Sequence, residues 1–252
     1  MFAPPFDWLV PLTMAPFVGS FLSVLVVRLP KGEDVIASRS CCRSCSTPLS
    51  PMDLVPLVSY AVQGGKCRAC GAPIDRLYPI IELCAVAVVL WAMTVVEGDL
   101  ILLTAALGWA LLVLAAMDIR EFILADAITL PLVFAGIAVS VWLSPDAIHW
   151  HILGAVFGFG LMLAAAWGYQ ALRGREGLGL GDAKLMAAAG AWTGLEGVGT
   201  VLLYGAVLSL AAIFIARGMG RSIELTTPVP FGAGLAAGFW LTWLYGPLLL
   251  GA

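Results

Sequence analysis

Four of the chain's six cysteines fall in two pairs, Cys42-x2-Cys45 and Cys67-x2-Cys70, with 21 residues between them. Two such knuckles place four thiolates where they can surround one Zn²⁺ tetrahedrally, at a spacing close to that of zinc ribbons. Cys41 abuts the first pair and can exchange with Cys42, whereas Cys84 stands inside an apolar run, where a cysteine is a small buried hydrophobe. A second chemistry belongs to acidic residues within or bordering long apolar runs, because an ionisable group there is costly and usually serves a purpose. Asp118 closes the run Ala115-Ala116-Met117, Asp126 opens Ala127-Ile128-Thr129, and Asp182 follows Gly179-Leu180-Gly181. Glu82 and Glu224 complete this group.

Two carboxylates from different helices, meeting in a partly dry site, cannot easily both ionise, so they share one proton. Such a dyad activates water. The ionised member takes a proton from the water as it attacks a peptide carbonyl; the protonated member supports the oxyanion and then protonates the leaving amine. Asp118 and Asp182 are the candidate pair. Gly179 and Gly181 permit close backbone approach, and the helix N-terminus that follows favours negative charge, which places Asp182 well as the base. The plainer reading makes Asp182 an N-cap and Asp118 an ion-pair partner of Arg120 or Lys184. Asp126 reads as an N-cap.

The elements that must position these residues follow from composition. Of 252 residues, 61% are hydrophobic and 12% charged, with mean hydropathy +0.99, where soluble domains run roughly half apolar and about a quarter charged. This is the composition of an all-α polytopic membrane protein surrounded by lipid. Thirteen Lys and Arg against 16 Asp and Glu give a net charge of −3, which offers no basic face to a phosphate backbone and excludes nucleic acid as a partner. Nine Trp and five Tyr can supply interfacial anchors. Each crossing needs about 20 mainly apolar residues, and eight segments qualify: Trp8–Leu29, Leu77–Val96, Leu100–Met117, Ala127–Leu143, His151–Leu172, Ala183–Leu195, Thr200–Ala216 and Val229–Leu250. The sixth is short, so Ala183–Ala216 also reads as one long or broken segment.

Basic residues in short loops collect on the cytoplasmic side. Arg28, Lys31, Arg39, Arg43, Lys66, Arg68 and Arg76 lie between segments one and two, and Arg120 between three and four. Arg173, Arg175 and Lys184 lie between five and six, and Arg217 and Arg221 between seven and eight. The opposite connections, near Glu97–Asp99, Pro145–Trp150 and Glu196–Gly199, hold none. Eight crossings with both termini periplasmic therefore put every Lys and Arg inside, and Asp118 and Asp182 at the cytoplasmic mouths of their helices. No basic stretch precedes the first segment, which argues for a retained helix. The loop 30–76 is then cytoplasmic, too short for a self-sufficient core and kept reduced, which favours a metal staple over a pair of disulfides.

These features resemble a known family, the prepilin peptidases (type IV leader peptidase and N-methyltransferase), over nearly the whole chain. Val18-Gly19-Ser20-Phe21-Leu22 with Arg28-Leu29-Pro30 is similar to the family's first-helix signature, with Ser23 where Asn is usual. The cysteine pairs, Pro56-Leu57-Val58-Ser59-Tyr60 and Tyr78-Pro79-Ile80-Ile81-Glu82-Leu83 resemble its cytoplasmic domain, with Arg43 in place of a common Pro. Gly-x-Gly-Asp-x-Lys at 179–184 is similar to its aspartic motif, Asp118 corresponds to its other catalytic aspartate, and Pro230-Phe231-Gly232 to its terminal motif. The stretch from Asp118 to Leu130 resembles another family segment, with Ala125 replacing a Pro.

The resemblance implies removal of a short basic leader from prepilins or type II secretion pseudopilins after a Gly, at the cytoplasmic face of a bacterial inner membrane. Methylation of the new N-terminal residue, usually Phe, from S-adenosylmethionine would follow, and Gly65 matches a glycine that the family associates with that step. The expected division is a first transmembrane helix at 1–29, a cytoplasmic zinc-binding domain at 30–76 and a membrane-embedded aspartic peptidase domain at 77–252. Two rivals from other classes are an ion- or proton-coupled transporter, which gives the cysteine loop no role, and a zinc-stapled scaffold, in which both aspartates are caps.

Overall fold

A computed structural model describes residues 7–174, 177–220 and 228–248; Arg175, Arg221 and Glu224 lie outside the described residues. The described chain is helical without a named strand. Its elements are α1 (Leu9–Arg28), α2 (Val58–Val62), α3 (Leu77–Ala92), α4 (Leu100–Glu121), α5 (Asp126–Leu143), α6 (Ile148–Arg173), α7 (Leu180–Gly218) and α8 (Phe231–Tyr245). Five of them, α1, α4, α5, α6 and α7, are long and apolar enough to cross a membrane. α3 is apolar but has only 16 residues. The chain forms two compact units that divide within α4, one up to Val113 and one from Leu114 onward.

In the first unit α1 packs on α3 at Gly19, where a Cβ would stand 2.7 Å from the Glu82 Cα and 2.9 Å from the Ala85 Cβ. Only a glycine allows this approach. Trp109 Nε1 of α4 donates to the Ala85 carbonyl at 3.0 Å, so a bulky side chain on one helix fixes the backbone of the next. Glu82 is buried, and its Oε2 accepts the Leu57 N–H at 2.8 Å. Leu57 has φ +61, a conformation that a β-carbon disfavours, and the Glu82 bond holds it. The carboxylate singled out in the second apolar run therefore ties the loop 30–76 to α3.

In the second unit α7 is one 39-residue element interrupted at Gly194, whose φ 72 and ψ 177 lie outside any helix. Asp182 and Ser209 would stand about 40 Å apart on a straight helix, yet they line one cleft, so the chain doubles back at Gly194. Beside the break, His151 Nδ1 lies 3.0 Å from the Ala191 carbonyl oxygen. The expected reversal at Glu196–Gly199 is thus displaced: those residues are helical, and the turn sits at Gly194 because glycine alone enters the left-handed region without strain.

The segment 180–193 runs beside α5, where Trp192 Nε1 donates to the Leu132 carbonyl at 2.8 Å, and beside α6, where Gly158 faces the Met186 carbonyl at 2.8 Å from a Cβ's position. The segment 195–218 packs on α8 through Gly205, Gly238 and Gly234. Phe239, Leu235, Leu185 and Met186 are fully buried in this unit.

Candidate active site

Asp118 lies in the last turn of α4, one residue turn inside its end at Glu121. It is 6% exposed, and its Oδ2 accepts the Ala233 N–H at 2.8 Å. Ala233 is in the first turn of α8, so the unpaired N–H groups of that helix start aim at a carboxylate 115 residues earlier. The adjacent Gly232 has no room for a side chain: a Cβ there would meet Leu124 Cδ1 at 2.9 Å and the Asp118 Cγ and Oδ2 at 3.1 Å. The Pro-Phe-Gly motif thus acquires a physical role, since its glycine lets α8 seat Asp118. Gly232→Ala is expected to displace the carboxylate and lower kcat at least tenfold, about 1.4 kcal/mol in barrier, with helix content unchanged by circular dichroism. Unchanged kcat would show that this seating does not matter.

Asp182 is the third residue of α7, 8% exposed, and its Oδ2 turns back to accept the Gly179 N–H at 3.1 Å. It caps the helix from within its first turn, so the plainer reading and the chemical one describe the same carboxylate. The two motif glycines do different things. Gly181 packs so closely that a Cβ would stand 2.9 Å from the Leu124 Cβ, whereas a Cβ on Gly179 would meet nothing nearer than 3.7 Å.

Asp118 and Asp182 line one cleft of about 920 Å³. Its apolar wall includes Phe122, Ile123, Leu124, Leu210 and Ile213, and Tyr169 closes one side against Gly177. Two buried carboxylates from separate helices, facing a cleft wide enough for a peptide segment, form an arrangement suited to general acid–base chemistry on an amide.

Asp126 corrects the sequence reading. It is the first residue of α5, not its cap; Ala125 holds the cap position with no side-chain bond. Its oxygens instead receive Lys184 Nζ at 2.6 and 2.7 Å. The same pair commits Lys184, one of the two ion-pair partners that the plainer reading offered Asp118, to Asp126. The Lys184–Asp126 pair joins the starts of α5 and α7, and at half-exposure such a bridge contributes about 0–1 kcal/mol.

The cysteine loop contains two copies of one turn. Cys42 N–H donates to the Thr47 carbonyl at 2.9 Å and Cys67 N–H to the Ala72 carbonyl at 2.8 Å. Antiparallel bridges close each at matching offsets, Cys41 with Pro48 and Lys66 with Pro73. The left-handed residue is Ser46 in the first copy and Gly71 in the second, with φ 57 and 72. The sulfurs of Cys42, Cys45, Cys67 and Cys70 all lie within 4.8 Å of one another, and those of Cys42 and Cys70 are 3.9 Å apart. A tetrahedron of 2.3 Å zinc–sulfur bonds has edges of about 3.8 Å, so four thiolates at this spacing could hold one metal ion. The Thr47 hydroxyl and N–H beside Cys45 hold its thiol down at about 6, and backbone N–H groups of Cys70 and Ala69 lower that of Cys67, which favours the thiolate form that metals bind at those two positions; against the lowering Ala72 N–H, the neighbouring sulfurs and burial push the Cys70 thiol up to about 11. Between the knuckles, Asp53 Oδ2 accepts Ser50 N–H and Oγ at 2.9 and 2.6 Å, and Oδ1 accepts Gln63 Nε2 at 3.0 Å. Cys41 and Cys84 are not members of this cluster. Gly65 combines φ +69 with a Tyr60 ring 3.0 Å from where a Cβ would sit, so its identity is required by the loop's own backbone.

Family comparison agrees with this layout. Residues 13–96 match the bacterial peptidase A24 N-terminal domain, and 105–216 match the type IV leader peptidase family. A prepilin leader peptidase/N-methyltransferase from Burkholderia pseudomallei (strain 1026b) is 35% identical over 93% of this chain and 85% of its own. Proteins of the same description from Aeromonas hydrophila and Pseudomonas aeruginosa are each 33% identical, over 91% of this chain and 87% of theirs. No solved structure matches the chain. With the cysteine loop inside the first match, Asp118 and Asp182 inside the second, and these relatives matching most of its length, the chain belongs to the type IV leader peptidase family.

Proposed function

We propose that the chain cleaves the basic leader from prepilins or pseudopilins with Asp118 and Asp182 as its catalytic pair, and then methylates the new N-terminus. The observation that carries the reading is the meeting of these two buried carboxylates, from α4 and α7, in one cleft. One carboxylate removes a proton from water as its oxygen bonds to the scissile carbonyl carbon. The other, protonated, donates to the departing amine as the carbon–nitrogen bond breaks, which leaves an acid and a free amino terminus. The Ala233 and Gly179 N–H groups orient the two carboxylates and hold them in register through the cycle. S-adenosylmethionine supplies the methyl group for the second reaction. Zn²⁺ in the loop, held by Cys42, Cys45, Cys67 and Cys70, has a structural part only, because four thiolates leave no position for a water. A transporter or inert scaffold gives no account of the paired family matches. Cleavage of a prepilin by the purified protein in detergent tests the reading, and its absence with intact substrate and intact fold would overturn it.

The finer architecture we favour has eight crossings of the inner membrane, with 180–193 and 195–218 as separate crossings hinged at Gly194, both termini periplasmic and the cleft at the cytoplasmic side. The distribution of Lys and Arg supports this arrangement. Single cysteines introduced in 145–149 are expected to react with a membrane-impermeant maleimide added outside intact cells, and those in 173–177 only after permeabilisation. Equal labelling of both would require a different number of crossings.

A further inference from the structure

We propose that Ser209 is a substrate-contacting residue of the cleft, its hydroxyl forming a hydrogen bond with the backbone of the bound peptide. The proposal rests on the cleavage reading above. Ser209 lies on the second segment of α7 and lines the same cleft as Asp118 and Asp182. It is 8% exposed, and its Oγ is buried with no hydrogen-bond partner among the described residues. Other hydroxyls on these helices behave differently. Ser23, Thr129, Thr193 and Thr242 each donate to the carbonyl four residues back, at 2.8, 3.2, 2.8 and 2.8 Å, the usual way in which an apolar helix accommodates such a residue. Ser209 leaves that bond unmade, at a cost that an alanine would avoid.

Its surroundings suggest what the hydroxyl is kept for. The Oγ occupies the space that a Cβ on Gly234 would fill, one residue from the Ala233 N–H that holds Asp118. The wall on either side is apolar, with Ala206, Leu210 and Ile213 lining the cleft along the same helix. A peptide extended past the two aspartates brings backbone N–H and C=O groups into this wall, where they too need partners. A serine hydroxyl can donate and accept, and a step between staggered χ1 wells turns it from Gly234 towards the cleft. Free protein and bound peptide then satisfy each other.

The test is Ser209→Ala in the full-length protein in detergent, with prepilin cleavage kinetics, anisotropy of a fluorescent peptide spanning the cleavage point, and thermal unfolding measured side by side. Loss of one hydrogen bond should raise KM and peptide Kd about five- to tenfold, with kcat within about twofold and Tm not lowered, because the hydroxyl has no partner in the free protein. Ser209→Thr, which keeps the hydroxyl, should restore the affinity. Unchanged KM and Kd in the alanine variant would overturn the proposal, as would a fall in Tm and kcat together, the sign of a purely structural role. If the parent protein binds the peptide without cleaving it, the cleavage reading fails and the anisotropy of the variants alone decides Ser209. A parent protein that does not bind the peptide overturns both.

Discussion

Asp118→Asn and Asp182→Asn are each expected to reduce prepilin cleavage by at least a hundredfold, the lower end of what a positioned acid or base contributes. Asparagine is nearly isosteric and keeps an oxygen that can accept the Ala233 or the Gly179 N–H, so α8 and the start of α7 should stay in place. Circular dichroism, Tm and metal content are therefore expected to match the parent protein. The double variant should be scarcely worse than either single one, because the two carboxylates act on one proton path and such effects do not add. Near-normal turnover in either single variant would remove the dyad. A loss of activity accompanied by loss of helix content would return Asp182 to the role of a cap.

The second large effect is expected at the cysteines. Elemental analysis of purified protein should give one zinc per chain, and Cys→Ser at Cys42, Cys45, Cys67 or Cys70 should lower that content sharply. A loop of this size has little core of its own, and a structural zinc in a comparable peptide site is worth about 10–16 kcal/mol. Limited proteolysis should therefore cut the variants within 30–76 while leaving the helices of the second unit intact. Methyl transfer should fall, whereas slow leader cleavage persists, because Asp118 and Asp182 both lie beyond Leu114, outside the unit that holds the cysteines. Fully active protein without zinc would defeat the metal assignment. Chelation that stops cleavage at once, with the loop still folded, would defeat the division of labour.

Much of this was legible in the residues themselves. Paired cysteines at short spacing can do few things, and long apolar runs can be soluble only in lipid or in one another, so the thiol cluster and the helical class follow from local pattern. Asp118 and Asp182 were marked by their type and by their position at the borders of apolar runs. What could not be read was who holds whom. Asp126 looks like a cap because caps are local, but a lysine 58 residues away lies on its carboxylate, and no local pattern encodes that. Glu82 looks like a further candidate for chemistry until folding brings the Leu57 N–H to it. The reversal in α7 was expected at a weak polar interruption, and it occurs instead at Gly194, where left-handed backbone is free of strain and His151 reaches the Ala191 carbonyl. Composition and spacing determined which residues could react and in what solvent the chain folds. Tertiary structure decided that Asp118 is held by the first turn of α8 and faces Asp182 across one cleft, because close approach between distant helices depends on glycines such as Gly181 and Gly232, whose role appears only once the facing side chains are in place.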